Sequence, residues 1–184
     1  MPRVLVPLAP GCEELEAVTI IDLLRRAGIE VVSAGLAEGP VKASRGTVLL
    51  PDTTLEAVED QDFDMVVLPG GLPGARYLEE DPRVGAILRR HAERGAYTAA
   101  ICAAPKVLAR AGLLDGKRAT SYPGSVLAED FPRVDLLDTS VVIDGRVVTG
   151  RGPGSAMDFA LTLIELLAGR EPCEQVEAAL VRPL

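Results

Sequence analysis

Short apolar runs bounded by turn residues alternate along the chain with longer stretches of helical period, the pattern of a parallel sheet covered by helices on both faces. Val4 to Leu8 reads as a first buried strand. Glu14 to Ala27 follows with a helical period that puts Leu15, Val18, Ile21 and Leu23 or Leu24 on one inward face, and Gly28 stops it. Ile29 to Leu36 returns as a second strand, Val48 to Leu50 is a short extended piece, and Met65 to Leu68 is wholly apolar, as a central strand should be. Pro82 to Arg94 is a helix ended by Gly95, and Tyr97 to Ile101 is the next strand. Ala103 to Ala111 is a helix that follows with no spacer, so residue 102 falls at a sharp strand-to-helix turn. Lys117 to Thr120 is a further predicted strand, and Val141 to Asp144 pairs with Arg146 to Thr149 around a tight Asp-Gly turn. Helices over Ser155 to Leu167 and Glu171 to Leu180 close the chain. With no repeat, low-complexity tract or linker, residues 1–184 are expected to form one doubly wound α/β domain, with any ligand site beyond the carboxyl ends of the strands.

A chain of 184 residues, 48% of them hydrophobic and 25% charged, can bury roughly 70% of its unfolded surface, so a core forms without disulfide or metal staples. The net charge of -8, from 27 acids against 19 bases, makes broad contact with nucleic acid or an anionic membrane repulsive and favours a small soluble partner. No apolar run approaches the ~20 residues of a membrane span. The apolar stretch before Gly11 is too short for a signal peptide, so Leu8-Ala9-Pro10-Gly11-Cys12 reads as a strand entering a glycine turn rather than a lipoprotein cleavage site. Cys12, Cys102 and Cys173 are an odd number of thiols in a chain too large to need bridges, which implies reduced cysteines in a cytoplasmic setting.

The loops expected at the carboxyl edge hold the candidate chemistry. Cys102 is the sharpest, because a nucleophile at a strand-to-helix turn is held out from the backbone and its sulfur meets the amides of the helix start, which favour thiolate. The small neighbours Ala99, Ala100, Ala103 and Ala104 leave room for that turn. Glu13 and Glu14 read as caps of the first helix. Glu16 stands apart, since a residue in the first turn after strand one can project toward Cys102. A carboxylate beside a thiolate repels it, and a protonated Glu16 donating to the sulfur resolves the conflict. Pro69-Gly70-Gly71 brings bare amides to the same edge, where they can hold an oxyanion. Cys12, in the loop beside Glu16, is a possible disulfide partner for an oxidised Cys102, and Cys173 reads as structural. His91, the only histidine, lies in mid-helix far from these loops, which argues against a cysteine-histidine dyad. Neither Gly70-Gly71-Leu72-Pro73-Gly74 nor Gly150-Arg151-Gly152-Pro153-Gly154 fits a dinucleotide fingerprint, and the histidine and cysteines have no metal-ligand spacing, so no cofactor and no metal are expected.

Gly-Cys-Glu-Glu-Leu-Glu-Ala-Val at 11–18, Leu-Pro-Gly-Gly at 68–71, Ala-Ala-Ile-Cys-Ala-Ala-Pro at 99–105 and Arg-Gly-Pro-Gly at 151–154 together resemble the ThiJ/PfpI superfamily, in its deglycase branch. The resemblance runs in order along nearly the whole chain. It implies a flavodoxin-like, doubly wound, mostly parallel sheet, a homodimer, and Cys102 as nucleophile and oxidation-sensing thiol. It also implies Glu16 as the protonated carboxyl partner, Gly70, Gly71 and Ala103 as oxyanion donors, Pro153 packed beside the cysteine, and Arg26 and Arg45 near the dimer contact. The activities it implies are cofactor-free conversion of methylglyoxal and glyoxal to hydroxy acids, repair of early glycation adducts on proteins, and redox-linked chaperone work. Two departures stand out. Peptidase members carry histidine directly after the nucleophile, where this chain has Ala103, which demotes a peptidase reading. The histidine of a Thr-x-His-Pro segment is replaced by Tyr122, in Thr120-Ser121-Tyr122-Pro123; a phenol can donate a hydrogen bond to a bound aldehyde but is a poor general base near neutral pH.

Overall fold

The structure is a computed structural model describing residues 1–183. Its strands, in chain order, are β1 (Arg3–Leu8), β2 (Glu30–Gly35), β3 (Val41–Lys42), β4 (Val48–Leu49), β5 (Thr53–Thr54), β6 (Met65–Leu68), β7 (Tyr97–Ile101), β8 (Arg118–Ala119), β9 (Asp135–Leu136), β10 (Val141–Asp144) and β11 (Val147–Gly150). The helices are α1 (Glu14–Arg26), α2 (Leu55–Val58), α3 (Gly74–Glu80), α4 (Pro82–Glu93), α5 (Pro105–Arg110), α6 (Ala156–Ala168) and α7 (Arg170–Ala179). Seven strands form the main sheet in the order β10-β11-β7-β6-β1-β2-β5. All its pairings are parallel except that of β10 with β11, which the turn at Gly145 makes antiparallel. This is the mixed α/β architecture that the alternation of runs predicts.

Side chains on β1 show how one sheet serves two cores. Val4, Val6 and Leu8 join a cluster with Ile20 and Leu24 of α1 and with Phe159, Leu163 and Ile164 of α6. Leu5 points the other way, into a cluster with Val84, Ile87 and Leu88 of α4 and Leu108 of α5. Burial on both faces is why the parallel strands read as continuous apolar runs rather than alternating ones.

Beyond adding the short elements α2, β3, β5 and β9, the structure departs from the sequence reading in four places. Leu15 and Val18 are 51% and 46% exposed, and α1 instead buries Glu16, Ala17, Ile20, Leu23 and Leu24. The helix carries two overlapping apolar stripes, and the inward one contains a carboxyl, which periodicity alone penalises. Helix α3 forms within a stretch that reads as loop, because its glycine-rich start and short length give no periodic signal. The strand expected over Lys117 to Thr120 shrinks to β8, which pairs with β9 outside the main sheet. The helix expected from Ala103 begins at Pro105, so Cys102 to Ala104 form the turn itself.

Candidate active site

Three carboxyl strand ends meet around Cys102. β1 runs through the turn at Gly11 into α1, which supplies Glu16; β6 ends at Gly70 and Gly71; β7 ends at Cys102. The chain leaves β1 toward β2 on one side and crosses to β6 and β7 on the other, so the site lies at the point where strand order reverses. Cys102 has φ 64, a left-handed conformation uncommon for a residue with a side chain, and it is held there from both sides. Its amide donates to the Gly150 carbonyl at 2.9 Å, and its own carbonyl accepts from the Tyr122 amide at 2.8 Å. The side chain is 8% exposed, and the amides of Gly71 and Ala103 face its sulfur.

Glu16 has no exposure, and neither of its oxygens has a partner in hydrogen-bond geometry among the described residues. The polar groups near enough to favour its charge are the Cys102 thiol and the Gly70 amide, and they do not offset the loss of water. Burial, reinforced by the negative charge of Glu13, pushes the Glu16 carboxyl up to about 8, so it is neutral at pH 7. Gly70 allows this closeness. A side-chain carbon there would lie 2.6 Å from Cys102 Cβ and 2.9 Å from Glu16 Oε1, so only glycine fits between them.

Burial and then the Glu16 charge push the Cys102 thiol up to about 12, against the pull of the Gly71 and Ala103 amides. This corrects the expectation that helix-start amides would hold a ready thiolate. At the sulfur, desolvation outweighs the amides. With Glu16 neutral its repulsion disappears, leaving the amides to oppose burial alone. The Gly70 amide bears on Glu16, while the Gly71 and Ala103 amides bear on the Cys102 sulfur.

Tyr122 reaches Cys102 through its backbone, while its ring is 51% exposed and packs beside Gly152. It lines a depression of about 320 Å³ with Ser140, Arg151 and Pro153. Arg151 there pairs with Asp138 at 2.7 Å. Arg26 and Arg45 lie away from the sulfur. Arg26 pairs with Asp22 at 3.0 Å near the end of α1, and Arg45 sits in the exposed turn between β3 and β4, its amide bound to Glu14 Oε1 at 2.9 Å. Glu13 caps α1 through the Leu15 amide, whereas Glu14 does more than cap, tying the helix start to Ser44 and Arg45.

All three cysteines are free and buried. Cys12 has no exposure, and burial followed by the charge of Glu14 pushes its thiol up to about 11. Cys173 donates to the Leu161 carbonyl at 3.3 Å. His91 is also fully buried, on the far side of the molecule: its Nδ1 is 2.7 Å from the Ile87 carbonyl, and its Nε2 accepts from the Phe63 amide at 3.1 Å. With both ring nitrogens engaged it has no route to the sulfur. One feature escaped the sequence reading. A second cavity, of about 420 Å³, is walled by Leu72, Ala103 and Ser125 and includes Lys106. The only sequence signal for it is a lysine four residues past the nucleophile.

The fold and the site together define an α/β protein built around a buried cysteine paired with a neutral carboxyl group. The DJ-1/PfpI family model matches residues 2–166, and the chain belongs to that family, as its four motifs indicate. It is 49% identical to Protein dj-1beta of Drosophila melanogaster over 180 residues, which cover 96% of this chain and 95% of that one. The crystal structure of Drosophila melanogaster DJ-1beta has a TM-score of 0.94 at 45% identity, covering 100% of this chain and 99% of that chain. Identity to the glutathione-independent glyoxalase DJR-1.2 of Caenorhabditis elegans is 36% over 181 residues, 98% of this chain and 94% of that one. Oxidized Toxoplasma gondii DJ-1 has a TM-score of 0.92 at 40% identity, covering 100% of both chains.

The neutral carboxyl makes stability depend on pH in a predictable direction. Its pKa is raised on folding from an ordinary 4.5, so the native state holds a proton that the unfolded chain gives up; the stabilisation is complete below pH 4.5 and is lost as pH rises toward 8. Glu16→Gln keeps the shape and removes the titration. Urea unfolding of both proteins should show the variant gaining on wild type by roughly a few kcal/mol between pH 5 and 8, and a gap that does not change with pH would contradict a neutral Glu16.

Proposed function

We propose that this protein is a cofactor-free, cysteine-dependent glyoxalase acting on methylglyoxal, glyoxal and their early adducts on proteins. The observation that carries the reading is the buried, neutral Glu16 beside a sulfur that faces two amides. As the Cys102 sulfur bonds to the aldehyde carbon, Glu16 gives its proton to the carbonyl oxygen and takes up the thiol proton, so it stays neutral, and the Gly71 and Ala103 amides hold the negative charge that develops on that oxygen. Glu16 then takes the proton from the former aldehyde carbon while giving its own to the neighbouring ketone oxygen, and next gives a proton to that neighbouring carbon while taking one from the hydroxyl on the sulfur-bearing carbon, which becomes the carbonyl of a thioester. One carbon is oxidised and the next reduced, so no external electron acceptor is consumed. The resulting thioester is hydrolysed by water, releasing lactate from methylglyoxal and restoring the thiol. The relative named as a glutathione-independent glyoxalase supports this assignment. In this reading the Tyr122 phenol donates a hydrogen bond to the aldehyde and does not act as base. Three free, buried thiols fit a reducing, cytoplasmic location.

A second reading rests on the same two amides, which would stabilise a sulfinate as well as an oxyanion and make Cys102 a stress-sensing thiol; a relative crystallised in an oxidized form supports it. Lactate formation without glutathione, by wild type, Cys102→Ser and Glu16→Gln, separates the two. The glyoxalase reading requires turnover by wild type, none by Cys102→Ser, and a loss of about a hundredfold or more in Glu16→Gln. No lactate from any of them, with Cys102 gaining two oxygen atoms under mild peroxide, would transfer the assignment to the redox reading.

We further propose a homodimer that covers the outer stripe of α1. Leu15, Val18, Val48 and Leu50 are 51%, 46%, 61% and 80% exposed, and the Glu14 hydrogen bonds to Ser44 and Arg45 hold the β3–β4 hairpin against the start of that helix. Arg45 and Arg26 flank this surface. Val18→Asp should halve the mass seen by sedimentation equilibrium, and an unchanged mass would place the contact elsewhere.

A further inference from the structure

The cavity beside Ala103 has a direct relation to the reacting sulfur. Ala103 supplies one of the two amides facing Cys102, and Leu72 follows Gly71, which supplies the other. The cavity thus reaches to within one residue of the Gly71 donor and to the Ala103 donor itself. Four charged side chains line it, Arg76, Glu79, Glu80 and Lys106. Glu79 is engaged by Arg110 at 3.1 Å and Glu80 by Arg76 at 3.8 Å. Lys106, half-buried in the first turn of α5, forms no ion pair among the described residues. A half-buried lysine without an ion pair stands out in a chain with 27 acidic residues, and it shares the cavity with Ala103, whose amide faces the sulfur.

We propose that Lys106 selects substrates carrying an anionic group, a carboxylate or phosphate, that enters this cavity while the aldehyde meets Cys102. The proposal rests on the glyoxalase reading for its substrate, but the charge preference of the site can be measured without turnover. Iodoacetate and iodoacetamide alkylate the same sulfur and differ by one negative charge. Their ratio of rates at Cys102, followed by mass spectrometry of its peptide, cancels the ionisation of the thiol and reports charge beside it.

Lys106→Met should lower the iodoacetate-to-iodoacetamide ratio roughly fivefold, as expected for a partly screened charge pair, with the iodoacetamide rate unchanged. Lys106→Arg should retain the ratio, and added salt should lower it in wild type only. In turnover, Lys106→Met should lose kcat/KM by a similar factor for methylglyoxal extended by a carboxymethyl group, and lose nothing for the analogue extended by a neutral ethyl group. An unchanged alkylation ratio in Lys106→Met overturns the proposal, as does a change in the iodoacetamide rate of equal size, which would trace the effect to the thiol. A ratio that falls in a protein with no turnover leaves the anion site standing and removes the glyoxalase reading instead.

Discussion

Two ionisable groups share one dry pocket at the carboxyl edge of the sheet, and they cannot both be charged. Like charges about 4 Å apart near a protein surface repel by on the order of 4 kcal/mol, and among the described residues no cation acts on Glu16 or Cys102 to offset that. The pocket therefore keeps a proton. Burial puts it first on the sulfur and then, near pH 7, on the carboxyl as well. The free site is an acid beside a thiol, poised to pass a proton when a carbonyl arrives and the sulfur becomes bonded.

The surrounding structure maintains that closeness. Gly70 leaves no side chain between the two groups, and the left-handed backbone of Cys102 is tied to Gly150 on one side and Tyr122 on the other. Glu13 and Glu14 fix the start of α1, the first through the helix cap and the second through the hairpin that holds Ser44 and Arg45, so two separate ties position Glu16. A substitution that loosened any of them would admit water, and water would let the carboxyl ionise.

Much of this was legible in the residues. The alternation of apolar runs is enough for the parallel sheet, because burial on both faces leaves β6 wholly apolar and β1 and β7 nearly so. Cys102 stands out because no residues separate its strand from the next helix in the apolar pattern, and Glu16 because a residue in the first turn after β1 can project toward that sulfur. Other features depend on direction in space. The outward set of Leu15 and Val18 and the dominance of desolvation over amide donation at the sulfur both follow from packing that no local pattern records. Lys106 was overlooked for the same reason: the sequence shows a lysine on a helix, while its significance comes from the cavity and from the carboxylates that are already taken.

The central claim is that Glu16 is neutral in the resting protein at neutral pH. Infrared difference spectroscopy of wild type against Glu16→Gln tests it without reference to substrate. The account predicts a protonated-carboxyl carbonyl band at pH 6 that fades as pH rises through about 8. Carboxylate bands in its place at pH 6 would contradict it, and with it the proton-carrying role on which the proposed chemistry depends.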